Sequence, residues 1–273
     1  MTRLPRRPGL RARAVRACRA VRAEAQHVGS GKREFAVAMS AYGLYSAIRG
    51  VWGGSLAEGR VNADRVADLE RRLGIFWERG MQKLFTRHQA GMPFWNALYP
   101  VSQVVVLPAT LFLVYQRRRS AYAFVRNLSV LSWVGGVVWY ARQPVAPPRL
   151  AEQGFVDTVS TQTFFDLDSR FIRAFYNPVA AMPSLHVGMA PVVAWALWRL
   201  APWGVARWLG LAYPVLVTIA VIVTGNHYIL DVVGGLAVVL PAAALARILT
   251  GPPLAPTLPS GRTLEAGGAR TSG

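Results

Sequence analysis

Residues 223–246, "VTGNHYILDVVGGLAVVLPAAALA", decide how the rest of the chain is read. After Asp231 no charged residue appears until Arg247. A run of this kind approaches the roughly 20 residues that a helix needs to cross a bilayer. At its mouth His227 is followed four positions later by Asp231. Ionisable side chains beside hydrocarbon are costly and mark a functional site by default. The pair therefore calls for partners elsewhere in the chain.

Composition points the same way. The 273 residues are 53% hydrophobic and only 16% charged, against about a quarter charged in soluble domains. A net charge of +18 raises the question of nucleic acid, but the placement of the charge argues for lipid. Residues 1–33 hold ten Lys or Arg against one acid, Glu24, and Arg117, Arg118 and Arg119 directly follow an apolar run. Basic clusters beside spans set topology and contact anionic headgroups. No nucleic-acid-binding motif accompanies them. The single cysteine, Cys18, excludes an intramolecular disulfide and a cysteine-rich metal site. An Arg-rich, acid-poor start also suits a transit peptide; a basic cytoplasmic tail over 1–33 fits the remaining topology better.

Hydropathy predicts six spans, at about 35–52, 94–115, 121–140, 183–198, 208–224 and 228–249. Arg126, near one end of the third, is placed to snorkel to the interface. With the basic N-terminus inside, the loops at 116–120 and 199–207 also fall inside, and both are basic without acids. Both termini are then cytoplasmic, and the loops 54–92 and 141–182 lie outside. In the first of these, Val66, Leu69, Leu73, Phe76, Met81 and Leu84 recur near helical spacing, with Glu70, Arg71, Arg72 and Glu78 between them. This predicts an amphipathic helix on the membrane surface or capping the bundle; a helix that merely packs on its neighbours is the simpler alternative. The expected organisation is a tail (1–33), a six-helix membrane domain (34–250) and a disordered Pro/Gly/Ser-rich cytoplasmic tail (251–273). The fold class is all-α.

This topology gathers the polar residues at one face. Arg142 and Arg149 leave the third span, Ser184 and His186 open the fourth, and Asn226, His227 and Asp231 open the sixth. A carboxylate on one imidazole nitrogen fixes the tautomer and leaves the other nitrogen nucleophilic. A second histidine, His186, has no carboxylate at i+4 and suits acid–base work on a leaving group. Ser184 and free N–H groups at a helix start make an anion cradle. Arg142 and Arg149 bracket three prolines, and arginine matches phosphate oxygens with a rigid fork. His186, His227 and Asp231 are also plausible zinc ligands, against which the nearby guanidinium groups would act. Two histidines, a carboxylate and two arginines at a membrane face point to phosphoryl transfer.

"PSLH" at 183–186 and "HYILD" at 227–231 resemble the second and third motifs of the type 2 phosphatidic acid phosphatase superfamily. Arg142-x6-Arg149 is similar to its first motif, normally Lys-x6-Arg-Pro, with Leu150 in place of the proline. Together with "NADRVADLERRLGIFWERGMQ" at 62–82, the pattern "APPR … PSLH … TGNHY" most resembles the branch of inositol phosphorylceramide synthases and their bacterial relatives. The resemblance implies that His227 forms a phosphohistidine and Asp231 orients it. It implies that His186 protonates the leaving alcohol and later activates the acceptor, while Arg142, Arg149 and Ser184 hold the phosphate. No metal and no cofactor are implied. One departure is larger: the third motif normally begins Ser-Arg, and Ala220 and Val221 stand there instead. Thr224, Asn226 or another arginine would have to take over that role.

The expectation is a multi-pass plasma-membrane lipid phosphatase or phosphotransferase with an extracytoplasmic site. Its partners would be a membrane lipid phosphate and, in a transfer, inositol or another alcohol acceptor. A lipid transporter using the arginines as a headgroup site is the competing class.

Overall fold

A computed structural model describes residues 10–51, 54–87, 91–162 and 179–251. Among these residues the architecture is all-helical, and extended pairing is confined to an isolated parallel bridge between Val145 and Ala180. The helices are α1 (Leu10–Gln26), α2 (Gly31–Val51), α3 (Leu56–Leu73), α4 (Glu78–Arg87), α5 (Met92–Val101), α6 (Leu107–Arg117), α7 (Arg119–Arg142), α8 (Thr158–Gln162), α9 (Leu185–Leu200), α10 (Gly204–Val223) and α11 (Ile229–Thr250). A π-helical turn, Ser102–Val106, joins α5 to α6 just after Pro100. The segment expected as a disordered tail lies outside the described residues except for Gly251.

Each of the six predicted spans falls on a helix. Four are long and apolar enough to cross a membrane: Met92–Arg117 taken through its π turn, α7, α10 and α11. Helix α9 is apolar but has only 16 residues, and α2 begins with Lys32, Arg33 and Glu34. The four long helices leave apolar side chains outside, among them Phe112, Val138, Val215, Leu240 and Ile248. A water-soluble bundle would bury such residues, whereas lipid accepts them. The protein is accordingly a membrane-embedded helical bundle.

Within the bundle α9 packs against α10, α11 and α6, while α7 packs against α11, α2 and α6. Small residues set how closely the two motif-bearing helices approach. A Cβ on Gly235 would lie 2.2 Å from the Ser184 carbonyl oxygen, and one on Gly188 would lie 2.9 Å from the Gly235 carbonyl oxygen. Close backbone approach through glycine is a regular device of helix packing in membranes.

The two ends of the bundle are tied differently. At one end Arg126 turns inward, which replaces the expected snorkelling. Its guanidinium meets both Glu34 oxygens at 2.9 and 3.1 Å and donates to the carbonyls of His27 and Ala25. Those bonds fasten the end of α1 to α7, so the basic segment includes a docked helix.

At the other end α3 and α4 cover the loops. Helix α3 starts at Ser55, whose side chain accepts the Glu58 N–H, and stops at Gly74 in the left-handed conformation. Its inner face is a small and polar stripe: Gly59, Asn62, Ala63, Val66, Ala67 and Glu70 are all buried. Leu69 and Leu73 are exposed. Two helices stand where one amphipathic helix is expected, and Glu70 of α3 and Glu78 of α4, charged positions between the apolar ones, are fully buried.

The Gly235 contact sets a stability test. Gly235→Ala must push α9 and α11 apart and is expected to cost about 1–3 kcal/mol, the usual range for overpacking. Gly43→Ala, where nothing lies within 4 Å, is expected to be neutral. Thermal unfolding in detergent compares the two, and equal melting points would contradict the packing described.

Candidate active site

The site forms where the motif-bearing segments meet beneath α3 and α4. Helix α10 ends at Thr224, and Gly225, at φ +71°, turns the chain back. Only glycine takes that conformation without strain, and a Cβ there would also meet the Gln82 amide at 2.9 Å. The turn delivers Asn226 and His227 just ahead of α11. Val221, which stands in place of the family's arginine, is buried and accepts the N–H groups of both Asn226 and His227 through its carbonyl.

Asp231 is fully buried in the first turn of α11. Its Oδ2 lies 3.2 Å from His227 Nδ1 and accepts the Tyr228 N–H at 2.8 Å. A carboxylate only accepts, so Nδ1 carries the proton and Nε2 keeps its lone pair. His227 Nε2 is buried without a hydrogen-bond partner among the described residues. It faces a cavity of about 50 Å³ whose lining includes His186, Asn226, Tyr99, Gln103 and Tyr140.

His186 stands opposite, half-buried, with its ring centroid 5.6 Å from that of His227. Tyr99 of α5 stacks on it at 4.7 Å and an interplanar angle of 27°. Ser102 and Gln103 of the π turn follow three and four positions after Tyr99, and π turns recur at functional sites. Ser184 is tied to the same helix start, since its N–H donates to the Asp231 carbonyl at 2.8 Å. Its Oγ is buried with no partner among the described residues.

Arg149 is drawn in by its own backbone, whose N–H donates to the Gly225 carbonyl. Its Nε donates to Asn226 Oδ1 at 3.0 Å, and its Nη1 donates to Asp157 Oδ2 at 2.6 Å. Asn226 also gives its amide to Thr224. Arg149, Asn226 and Thr224 thus form one buried polar layer beside His227. Arg142 does not join it. It ends α7 exposed and lies outside the residues lining the cavity, because the prolines at 144, 147 and 148 carry the chain onward before Arg149 turns back.

Sequence reasoning missed the supports. Gln82 of α4 bonds both the N–H and the carbonyl of Val156 and reaches the Val223 carbonyl. Asn62 of α3 donates to the Pro144 carbonyl, and Gly59 accepts the Ala146 N–H. Glu70 and Glu78 accept the N–H groups of Leu230 and Ile229, each at 2.7 Å. The one available signal was the spacing of Glu70, which continues the small-residue stripe from Asn62 through Val66.

A membrane-embedded helical bundle with two facing histidines and a buried guanidinium at one end is the class that fold and site define. The family model of the PAP2 superfamily matches residues 64–245, two thirds of the chain, and the chain belongs to that superfamily. Its members are in general phosphatases. The match begins inside α3, so it takes in the cap as well as the motif segments. No curated protein and no solved structure gives a significant match.

The tautomer can be measured directly. The wild type is expected to hold His227 in the Nδ1–H form, and Asp231→Ala, which removes the oxygen that accepts from Nδ1, should shift the ring toward the Nε2–H form, visible by ¹⁵N NMR of labelled histidine. Phosphate release should fall roughly 10²- to 10⁴-fold. An unchanged tautomer would refute the assignment.

Proposed function

We propose that this protein is a lipid phosphatase or phosphotransferase acting through a covalent phosphohistidine on His227. The observation that carries the reading is His227 Nε2, buried without a partner among the described residues, with the His186 ring across the cavity. Nε2 attacks the phosphorus of a lipid phosphate or phosphodiester. The N–P bond forms as the ester P–O bond breaks, and protonated His186 gives its proton to the leaving alkoxide. His186 then takes a proton from water or an alcohol, which displaces His227 from phosphorus. Hydrolysis and transfer differ only in that second nucleophile.

Arg149, Asn226 and the Ser184 hydroxyl hold the phosphate in this reading, and Arg142 is left out because of its exposed position. Arg149 is the arginine of the first motif, and Asn226 and Thr224 beside it stand in for the third motif's missing arginine. The reaction so written uses no metal and no cofactor. The segment 62–82 and "TGNHYILD" favour the inositol phosphorylceramide synthase-like branch, in which inositol or another alcohol is the acceptor. In this reading α2 and α9 cross the membrane along with the four longer spans, and the basic loops favour a site on the outer face of the plasma membrane with both termini in the cytoplasm.

Purified protein given a panel of lipid phosphates, with and without inositol, is expected to release phosphate or form a phosphodiester. His227→Ala should lower the rate at least about 10³-fold, and chelators should leave it unchanged. A lipid transporter would move lipid with His227→Ala intact. Loss of activity in chelator with recovery on zinc would replace the histidine mechanism by a metal one.

A further inference from the structure

The cap carries two carboxyl groups for which the proposed chemistry has no direct use. Glu70 from α3 and Glu78 from α4 are both fully buried. Each spends one oxygen on a backbone N–H in the first turn of α11: Glu78 Oε1 on Ile229 and Glu70 Oε1 on Leu230. Asp231 Oδ2 takes the Tyr228 N–H one residue earlier. Three carboxyl groups therefore satisfy three consecutive donors at the start of the helix that carries the catalytic pair. Helix starts leave such donors unsatisfied and favour negative charge.

Their second oxygens are the telling feature. Glu70 Oε2 and Glu78 Oε2 are buried with no hydrogen-bond partner among the described residues. The two N–H groups they accept belong to neighbouring residues, which sets the two carboxyl groups side by side. Two adjacent buried anions repel, so a carboxyl pair in this setting keeps a proton between its oxygens. That proton would satisfy both orphaned atoms at once.

We propose that Glu70 and Glu78 are positioning residues: a buried carboxyl pair sharing one proton, which caps α11 and thereby holds Asp231 and His227 in their reacting geometry. The inference rests on the phosphohistidine reading, to which it adds a support outside the three motifs. The charged and titratable groups facing Glu70 are Glu78 from α4 and Asp231 from α11, with Tyr228 buried beside them. Burial, then the Glu78 carboxyl, push Glu70 up to about 9.

The sign follows. A raised carboxyl binds its proton more tightly in the folded protein than in the unfolded one. The stability it adds is complete below the ordinary value of 4.5, declines as pH rises, and is gone above about 9. Above that point two anions face each other and the cap loosens. Wild-type turnover should therefore fall on an alkaline limb near 9.

Kinetics over the pH range and infrared spectra test the idea together. Glu70→Ala and Glu78→Ala should lower kcat roughly 10- to 100-fold with little change in KM, as losses of supporting contacts do. Glu70→Gln keeps the acceptor oxygen and donates a permanent hydrogen to Glu78. It should restore most of the rate and move the alkaline limb upward. The wild type should show the C=O stretch of a protonated, buried carboxylic acid at neutral pH, and Glu70→Gln and Glu78→Gln should each lose it. The infrared band and amide exchange at Ile229 and Leu230 need no turnover. They decide the proposal even if no lipid phosphate is cleaved, an outcome that would count only against the phosphohistidine reading. An unchanged acid band in both Gln variants, or an equal fall for Ala and Gln at Glu70, overturns it.

Discussion

The site depends on how the buried start of α11 is satisfied. A helix that begins at a bilayer's edge, under a lid of protein, exposes its first N–H groups to neither water nor a preceding turn. Here those of Tyr228, Ile229 and Leu230 go to Asp231, Glu78 and Glu70. The same Asp231 oxygen that closes the helix also lies on His227 Nδ1. Orientation of His227 and capping of α11 are thus one interaction.

From that point the structure extends in two directions. Downward, Gly235 and Gly188 let α9 and α11 touch backbone to backbone, which brings Ser184 to the Asp231 carbonyl and His186 opposite His227. Upward, α3 and α4 reach the loop after α7, the end of α10 and the start of α11 through Asn62, Gly59, Gln82, Glu70 and Glu78. A cap that only shielded the site would contact it through apolar surface. This one does so through hydrogen bonds to backbone groups, which fix position far more closely than apolar contact does. The exposed Leu69, Leu73, Trp77 and Leu84 on its outer side suit a membrane interface.

Much of this was legible in the residues. Six apolar runs became helices because long apolar segments form helices in lipid whatever their neighbours. His227 and Asp231, four apart at a helix mouth, and His186 at another, were readable because the geometry is local. The arginines divided. Arg149 entered the site and Arg142 did not, although the loop's composition treats them alike, because the backbone bond from Arg149 to Gly225 turns only one of them inward. Arg126 was read as a snorkelling residue, since its partners Glu34, His27 and Ala25 lie about a hundred positions away. In the sequence Glu70 and Glu78 are only charged positions between the apolar ones of an amphipathic segment.

That last pair marks the boundary between the two kinds of information. Sequence alone determined a membrane-embedded helical protein with its ionisable residues at one face and a histidine–carboxylate pair at a helix mouth, because periodicity and charge placement act within a turn or a span. Tertiary structure alone decided that Glu70 and Glu78 lie inside, bonded to residues 160 and 151 positions away. A glutamate on a helix reads as solvated until the partner that satisfies it is known. Here that partner is the backbone of another helix, and backbone N–H groups carry no sequence signal.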